Sequence, residues 1–224
     1  MSSPNLTTTS YAILGVLAMR PWSAYELTGY MRTSAVRHFW ARTESRLYAE
    51  PKNLVAHGLA RVEKGYTGKR RRVTYRITNA GRRALAAWLG ARAAAPQPED
   101  EAMLKIFLSD YGSRDDLLST IRWAVQDLRD QIAAIRTISD RVERGEAMFP
   151  GRLHVTALAA SYTVGRMRQR FEYLRWAREW VSEWADTELD DGKRKAAVKL
   201  HRTRRAELEQ LDRELGDFLG EGSR

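Results

Sequence analysis

RTESRLYAEPKNLVAHGLARVEKGYTGKRRRVTYRI, residues 42–77, is the stretch whose reading decides the fold. It reads as a helix, a strand, a basic turn and a returning strand. Thr43 offers a side-chain oxygen to the first free amides of the helix. Leu47, Leu54 and Val55 recur at helical spacing, and Gly58 ends the helix with a residue that tolerates the left-handed backbone. Leu59 to Val62 and Val73 to Ile77 alternate apolar and polar, the period of a strand. Between them lie Gly65, Gly68 and four adjacent cations, Lys69, Arg70, Arg71 and Arg72. A hairpin tip of this composition has no apolar surface to bury, and a polyanion is the natural acceptor of its charge.

The charge of the whole chain supports that partner. Its 224 residues carry a net charge of +10, and they are enough for two modest domains. Residues 1–90 hold 15 Lys or Arg against 4 Asp or Glu, a surplus of 11, while residues 91–224 hold 23 against 24. An excess confined to one domain is the footprint of a phosphate-backbone binder rather than a solubility charge, which would spread over both halves. The absence of Cys excludes disulfides and thiolate metal sites. The N-terminal apolar run is short and interrupted, with no basic leader region, so the expectation is a cytoplasmic protein without a membrane span.

Upstream, Leu6 to Met19 reads as a first helix with Thr8, Thr9 and Ser10 as caps and Tyr11, Leu14, Leu17 and Ala18 as its buried stripe. Arg20-Pro21-Trp22 breaks it. Ser23 and Glu26 form a capping box for a second helix. Three short helices followed by a two-stranded ribbon make a winged helix–turn–helix, with the third helix in the major groove and the wing over an adjacent groove. Thr78 to Gly90 reads as a fourth helix. The stretch ARAAAPQPEDE, with Pro96 and Pro98 among small residues, marks a linker. The expected domains are therefore a DNA-binding head over residues 1–90, a linker over 91–98 and a helical dimerisation and effector domain over 99–224.

LTTTSYAILGVLA, SAYEL, the helix carrying Tyr48 and Leu54, HGL and RRRVTYRITNAGRRAL together resemble the PadR family of bacterial transcriptional regulators. The likeness covers about the first 90 residues in order, and EDEAMLKIFLSDYG resembles the start of that family's C-terminal region. It implies that Tyr75 to Gly81 is the second wing strand turning into the next helix. Members usually carry an apolar helical residue where this chain has Pro51, so a bend in the third helix is expected. The resemblance also implies a response to phenolic or other flat hydrophobic molecules.

The second half reads as helices. Ser113 and Asp116 cap a long one, along which Leu118, Ile121, Val125, Leu128, Ile132 and Ile135 recur in steps of three and four. This seam is either one face of a monomeric bundle or a two-fold dimer interface, and reading palindromic DNA favours the homodimer. Met148 to Gly151 is a break. A further helix from Leu153 is crowded with aromatics, and Trp176, Trp180 and Trp184 share a face. With Phe171, Tyr173 and Arg175 they form a candidate site for an aromatic effector; the plainer account is core packing. The last helix follows Asp190-Asp191-Gly192, with Leu200, Leu208, Leu211, Leu215 and Phe218 expected on its inner side.

Candidate DNA contacts on the third helix are Ser45, Arg46, Tyr48, Ala49, Lys52 and Asn53. Arg46 suits either guanine recognition or a phosphate, and Tyr48 either a phosphate or packing on the wing. Lys69, Arg70, Arg71 and Arg72 are the candidate wing contacts. Enzyme signatures are missing: the four His are scattered, and no nucleophile elbow or phosphate loop occurs. Glu188, Asp190 and Asp191 cluster at a helix end, where a turn accounts for them. No cofactor is expected. The resulting reading is a mainly helical dimeric regulator of duplex DNA, a repressor released by an aromatic effector. The alternatives are an effector-independent architectural protein and a helical protein binding an acidic partner.

Overall fold

A computed structural model describes residues 6–67, 70–96 and 99–220 of the chain. It is mainly helical. The order is α1 (Thr8–Met19), α2 (Ala24–Thr33), a 3-10 turn (Ala35–His38), α3 (Glu44–Ala56), β1 (Ala60–Thr67), β2 (Arg70–Ile77), α4 (Asn79–Leu89), α5 (Glu101–Phe107), α6 (Arg114–Glu143), α7 (Leu153–Ser182) and α8 (Asp191–Leu219). β1 and β2 pair antiparallel, with Ala60 opposite Ile77, Val62 opposite Tyr75 and Tyr66 opposite Arg71. The expected winged helix–turn–helix is present, with a wing longer than the alternation alone marked out.

Two compact units emerge. One comprises residues 1–98 with 131–168, the other 99–130 with 169–224. In the first, Ile13, Leu14, Leu17, Leu27, Leu54 and Trp22 are buried almost completely. Trp22 is more than a helix breaker. Its backbone pairs with Tyr75 in both directions (3.1 and 2.7 Å), which adds a one-residue third strand to the wing. Its indole Nε1–H donates to the Val16 carbonyl at 2.9 Å, so the one polar atom of a buried ring is satisfied. Phe149, in the expected break, packs edge-on to Tyr30 at 5.8 Å and tilted against Trp22 at 6.0 Å.

Helix ends follow the sequence signals closely. Thr7, one residue ahead of the expected caps, exchanges capping bonds with Ser10. Ser23 and Glu26, and Ser113 and Asp116, do the same for α2 and α6. Gly58 has φ of 69° and ends α3 in a Schellman arrangement, with the Leu59 amide bonded to Leu54 and the Gly58 amide to Val55, both at 2.9 Å. Thr43 occupies the N-cap position of α3, but its hydroxyl meets Ser45 Oγ at 3.3 Å and caps no helix amide.

In the second unit, Leu117, Ile121 and Ala124 of α6 pack with Leu174, Ala177 and Val181 of α7, flanked by Ala102 and Ile106 of α5. The Arg114 guanidinium donates to the carbonyls of Val181 and Ser182 and ties the start of α6 to the end of α7. Arg170 and Asp100 form an ion pair between α7 and the cap of α5. The inner face expected for α8 is not covered within the chain: Leu208, Leu211, Leu215 and Phe218 are all more than half exposed. Asp190 caps α8, and Lys193 pairs with Asp190 and with Asp186, so one carboxylate of the Glu188, Asp190 and Asp191 cluster is engaged by a cation. No group of three His, Cys, Asp or Glu able to hold a metal occurs among the described residues. None of the described helices is long and apolar enough to cross a membrane.

Candidate nucleic-acid interface

α3 divides cleanly into two faces. Leu47, Pro51 and Leu54, spaced by four and three, are buried in the head. Ser45, Arg46, Tyr48, Ala49, Lys52 and Asn53 are exposed. Pro51 causes no break: the helix continues from Glu44 to Ala56 through it, and its ring takes the inward place of an apolar residue. The missing amide therefore lies on the covered side, away from the exposed stripe. Two of these candidates already have a side-chain partner: the Asn53 amide donates to Glu50 Oε1 at 3.3 Å, and Ser45 Oγ meets the Thr43 hydroxyl at 3.3 Å.

The wing is held to the body by a carboxylate that sequence reading placed only in a capping box. Glu26 accepts from the Ser23 amide (2.9 Å) and hydroxyl (2.7 Å) and from Arg72 Nη2 through both oxygens at 2.7 Å. Arg20 approaches the same carboxylate at 3.5 Å and stacks its guanidinium over the Trp22 ring at 3.6 Å. Partial burial alone would raise the Glu26 pKa, but the Ser23 bonds and the Arg72 guanidinium outweigh it and hold the value at about 2. Arg72 thus faces inward to α2 and is already committed within the chain. The alternation of a strand explains why: Arg71, its neighbour, points the other way and is exposed. The backbone of Arg70 pairs with Thr67 in the wing, and Lys69 lies outside the described residues.

A second carboxylate does similar work on the wing itself. Glu63 accepts from Arg76 Nε at 2.7 Å and Arg61 Nη2 at 3.0 Å, and the Arg76 bond, ahead of the other causes, lowers its pKa. Glu44 pairs with Arg32 at 2.8 Å. Three of the four acids of the head therefore pair with five arginines, two of them, Arg61 and Arg76, within the wing. Among the described residues Arg46, Lys52 and Arg71 form no ion pair, and these three lie on the outward face of α3 and on the wing. A cation without a partner carboxylate keeps its full charge for an external anion.

One signal for the Glu26–Arg72 tie was available: an acid in a head that has only four must serve a position. What could not be read was which of the four consecutive cations it meets, because that depends on the wing register. At the far edge of the head, Tyr11 and Trp88 stack at 5.0 Å with their rings 7° apart and fasten α4 to α1.

The other candidate residues fall as follows. On α6, Ile121 and Leu128 are buried by this chain's own atoms, Leu118, Val125 and Ile135 are half-buried, and Ile132 is exposed. On α7, Tyr173 and Trp176 lie 5.8 Å apart and Trp176 and Trp180 5.4 Å apart, a ladder of tilted rings. Trp176, Tyr173 and Trp184 pack by one edge against the core of the second unit, and the Arg204 guanidinium sits 5.7 Å from the Trp176 ring. Phe171 and Arg175 are exposed.

Comparison with known proteins agrees with this geometry. Residues 13–87 match the transcriptional regulator PadR-like family. The negative transcriptional regulator PadR of Bacillus subtilis is 32% identical over 108 residues, which span 47% of this chain and 59% of that protein, so the chain spans under two thirds of the curated relative's length. Among solved structures, Bacillus subtilis PadR in complex with operator DNA superimposes with a TM-score of 0.68 at 21% identity, covering 79% of this chain and 98% of that one. The PadR-like regulator BC1756 of Bacillus cereus gives 0.66 at 15% identity over 81% and 99%. Bacillus subtilis PadR in complex with p-coumaric acid gives 0.59 at 22% identity over 79% and 100%. The part of the chain that matches the transcriptional regulator PadR-like family, residues 13–87, is thus the head built on α3 and its wing.

Proposed function

We propose that the chain is a DNA-binding repressor that grips duplex DNA with the exposed face of α3 and the wing. The observation that carries this reading is the charge left open on one face of the head: Arg46, Lys52 and Arg71 are exposed on α3 and the wing without an ion pair, while Glu26, Glu44 and Glu63 are taken up by Arg20, Arg72, Arg32, Arg61 and Arg76. Phosphate contacts from Lys52 and Arg71 give affinity, while Arg46 has the fork that matches the acceptor edge of guanine. Occupancy of a promoter is enough to repress it, and the Bacillus subtilis relative is a negative regulator.

The working unit is a homodimer on a palindromic operator, and α8 is the surface that supports it. Four of its exposed apolar residues recur at positions 208, 211, 215 and 218, a seam spacing. Its charges run against the helix dipole: residues 193–205 hold seven Lys or Arg and no acid, while residues 206–219 hold five acids and one Arg. Antiparallel pairing with the α8 of a second copy covers the apolar seam and sets each basic half against an acidic half. The half-buried Leu118 and Val125 of α6, in the same unit as α8, are available to extend that contact.

The ring ladder on α7 supports release by a planar aromatic acid, with the exposed Arg175 as the counter-charge. The relative crystallised with p-coumaric acid is a precedent for that ligand class. The experiment for the central claim is a footprint on the intergenic DNA upstream of the protein's own gene. Protection of a two-fold symmetric site, lost in R46A/K52A, is expected. Indifference of the purified wild-type chain to duplex DNA at low ionic strength would overturn it.

A further inference from the structure

The face of the head beside α3 holds a groove of about 420 Å³ between the start of α1 and the outward side of α3. Thr8 and Thr9, Trp40, Arg42, Arg46 and Glu50 form most of its lining. None of these except Arg46 belongs to the contacts already assigned.

Three features of the groove suit an anion. First, Arg42 lies over the Trp40 ring at 3.9 Å, with one guanidinium nitrogen on its neighbouring carbonyl at 2.6 Å, so its charge is fixed in place and pairs with no acid. Arg46 adds a second unpaired cation from α3. Second, the Trp40 indole Nε1–H is buried and has no acceptor among the described residues, in a head whose other buried indole, Trp22, is satisfied. Third, Thr7 and Ser10 cap each other, which leaves the amides of Thr8 and Thr9, the first two of a 12-residue helix, without carbonyl partners. Glu50 is the one carboxylate in the lining, and it accepts from Asn53.

We propose that this groove is a second DNA contact, seating one backbone phosphate of the duplex, with Arg42 as its principal cation and the Thr8 and Thr9 amides as donors. The inference rests on the reading that α3 lies in the major groove. Arg46 and Ala49 border both the stripe and the groove, so a duplex engaged by the stripe brings its sugar–phosphate rail across the groove mouth. The contact would carry no base information; it would set the angle at which α3 enters.

The test measures binding of the full-length protein to a fluorescein-labelled generic duplex across a series of salt concentrations. Two variants are compared with wild type: R42A, and T8E, which places a carboxylate at the groove and is favourable for a first-turn helix position. Far-UV circular dichroism and melting confirm that each is folded. Each variant should lower the slope of log affinity against log salt by about one, which is a loss of roughly eightfold at 0.1 M salt. Wild-type slope and affinity in either folded variant would overturn the proposal. Absence of salt-dependent binding by the wild-type chain would instead overturn the DNA-binding reading on which it rests.

Discussion

The tightest approach in the head lies under Gly81, and replacing it with Ala is the sharpest test of the packing described here. A Cβ built on Gly81 falls 2.1 Å from the Leu59 carbonyl oxygen and 2.8 Å from Ile77 Cγ1, where contacts under 3.0 Å are essentially never seen. The oxygen would have to retreat by roughly 1 Å, and the same oxygen accepts the Thr78 amide at 3.0 Å, the bond that turns the wing into α4. Overpacking of this kind costs about 1–3 kcal/mol, and the weakened bond about 1 kcal/mol more. The gain in helix propensity returns at most about 1 kcal/mol. A net loss of about 2 kcal/mol should lower the melting temperature of the head by roughly 8 °C. Gly15 is the control. It lies inside α1 with an ordinary φ and no atom within 4 Å of its Cβ position, so G15A should be neutral or raise the melting temperature slightly. Both are read by thermal melts followed by circular dichroism at 222 nm. A G81A protein that melts with or above wild type would show that β1 and α4 do not meet as described.

Further predictions concern charge. Because the Glu26 pKa is held at about 2, below its ordinary 4.5, the stability this group contributes is complete above pH 4.5 and disappears as pH falls toward 2; urea unfolding at pH 5 and pH 3 should show the drop, and E26Q should flatten it. R72A should destabilise the head by about 1 kcal/mol, discounted for partial exposure, whereas R71A should leave stability unchanged and lower the salt slope of DNA binding by about one. Light scattering should find wild type dimeric and L211D/L215D monomeric with an unchanged far-UV spectrum; a dimer that survives both substitutions would remove α8 from the interface. Titration with planar aromatic acids should quench tryptophan emission and weaken DNA binding in wild type, and R175A should blunt both effects.

Much of the head was legible because its signals are local. The capping box at Ser23, the left-handed stop at Gly58 and the alternation of Val73 to Ile77 each depend on residues within one or two turns. What escaped were contacts set by tertiary register. Trp22 reads as part of a breaker, yet it pairs with Tyr75 more than 50 residues away. Arg72 reads as one more cation of a basic run, yet the pleat turns it toward Glu26. Pro51 reads only as a departure from an apolar position, yet helical spacing puts its ring on the covered side with Leu47 and Leu54. On α8 the apolar period is real, but a period identifies only a face that must be covered and is silent on what covers it.

Glu26 has a consequence for how such a protein diversifies. With both its oxygens engaged by Arg72 and its backbone side fastened to Ser23, this single acid fixes the stance of the wing from α2, a helix that lies outside the DNA-facing stripe. If α3 reads bases as proposed, substitutions at Ser45, Arg46 or Ala49 would alter which bases are preferred without unseating the hairpin beside them. Selectivity and posture are inherited separately, through different residues.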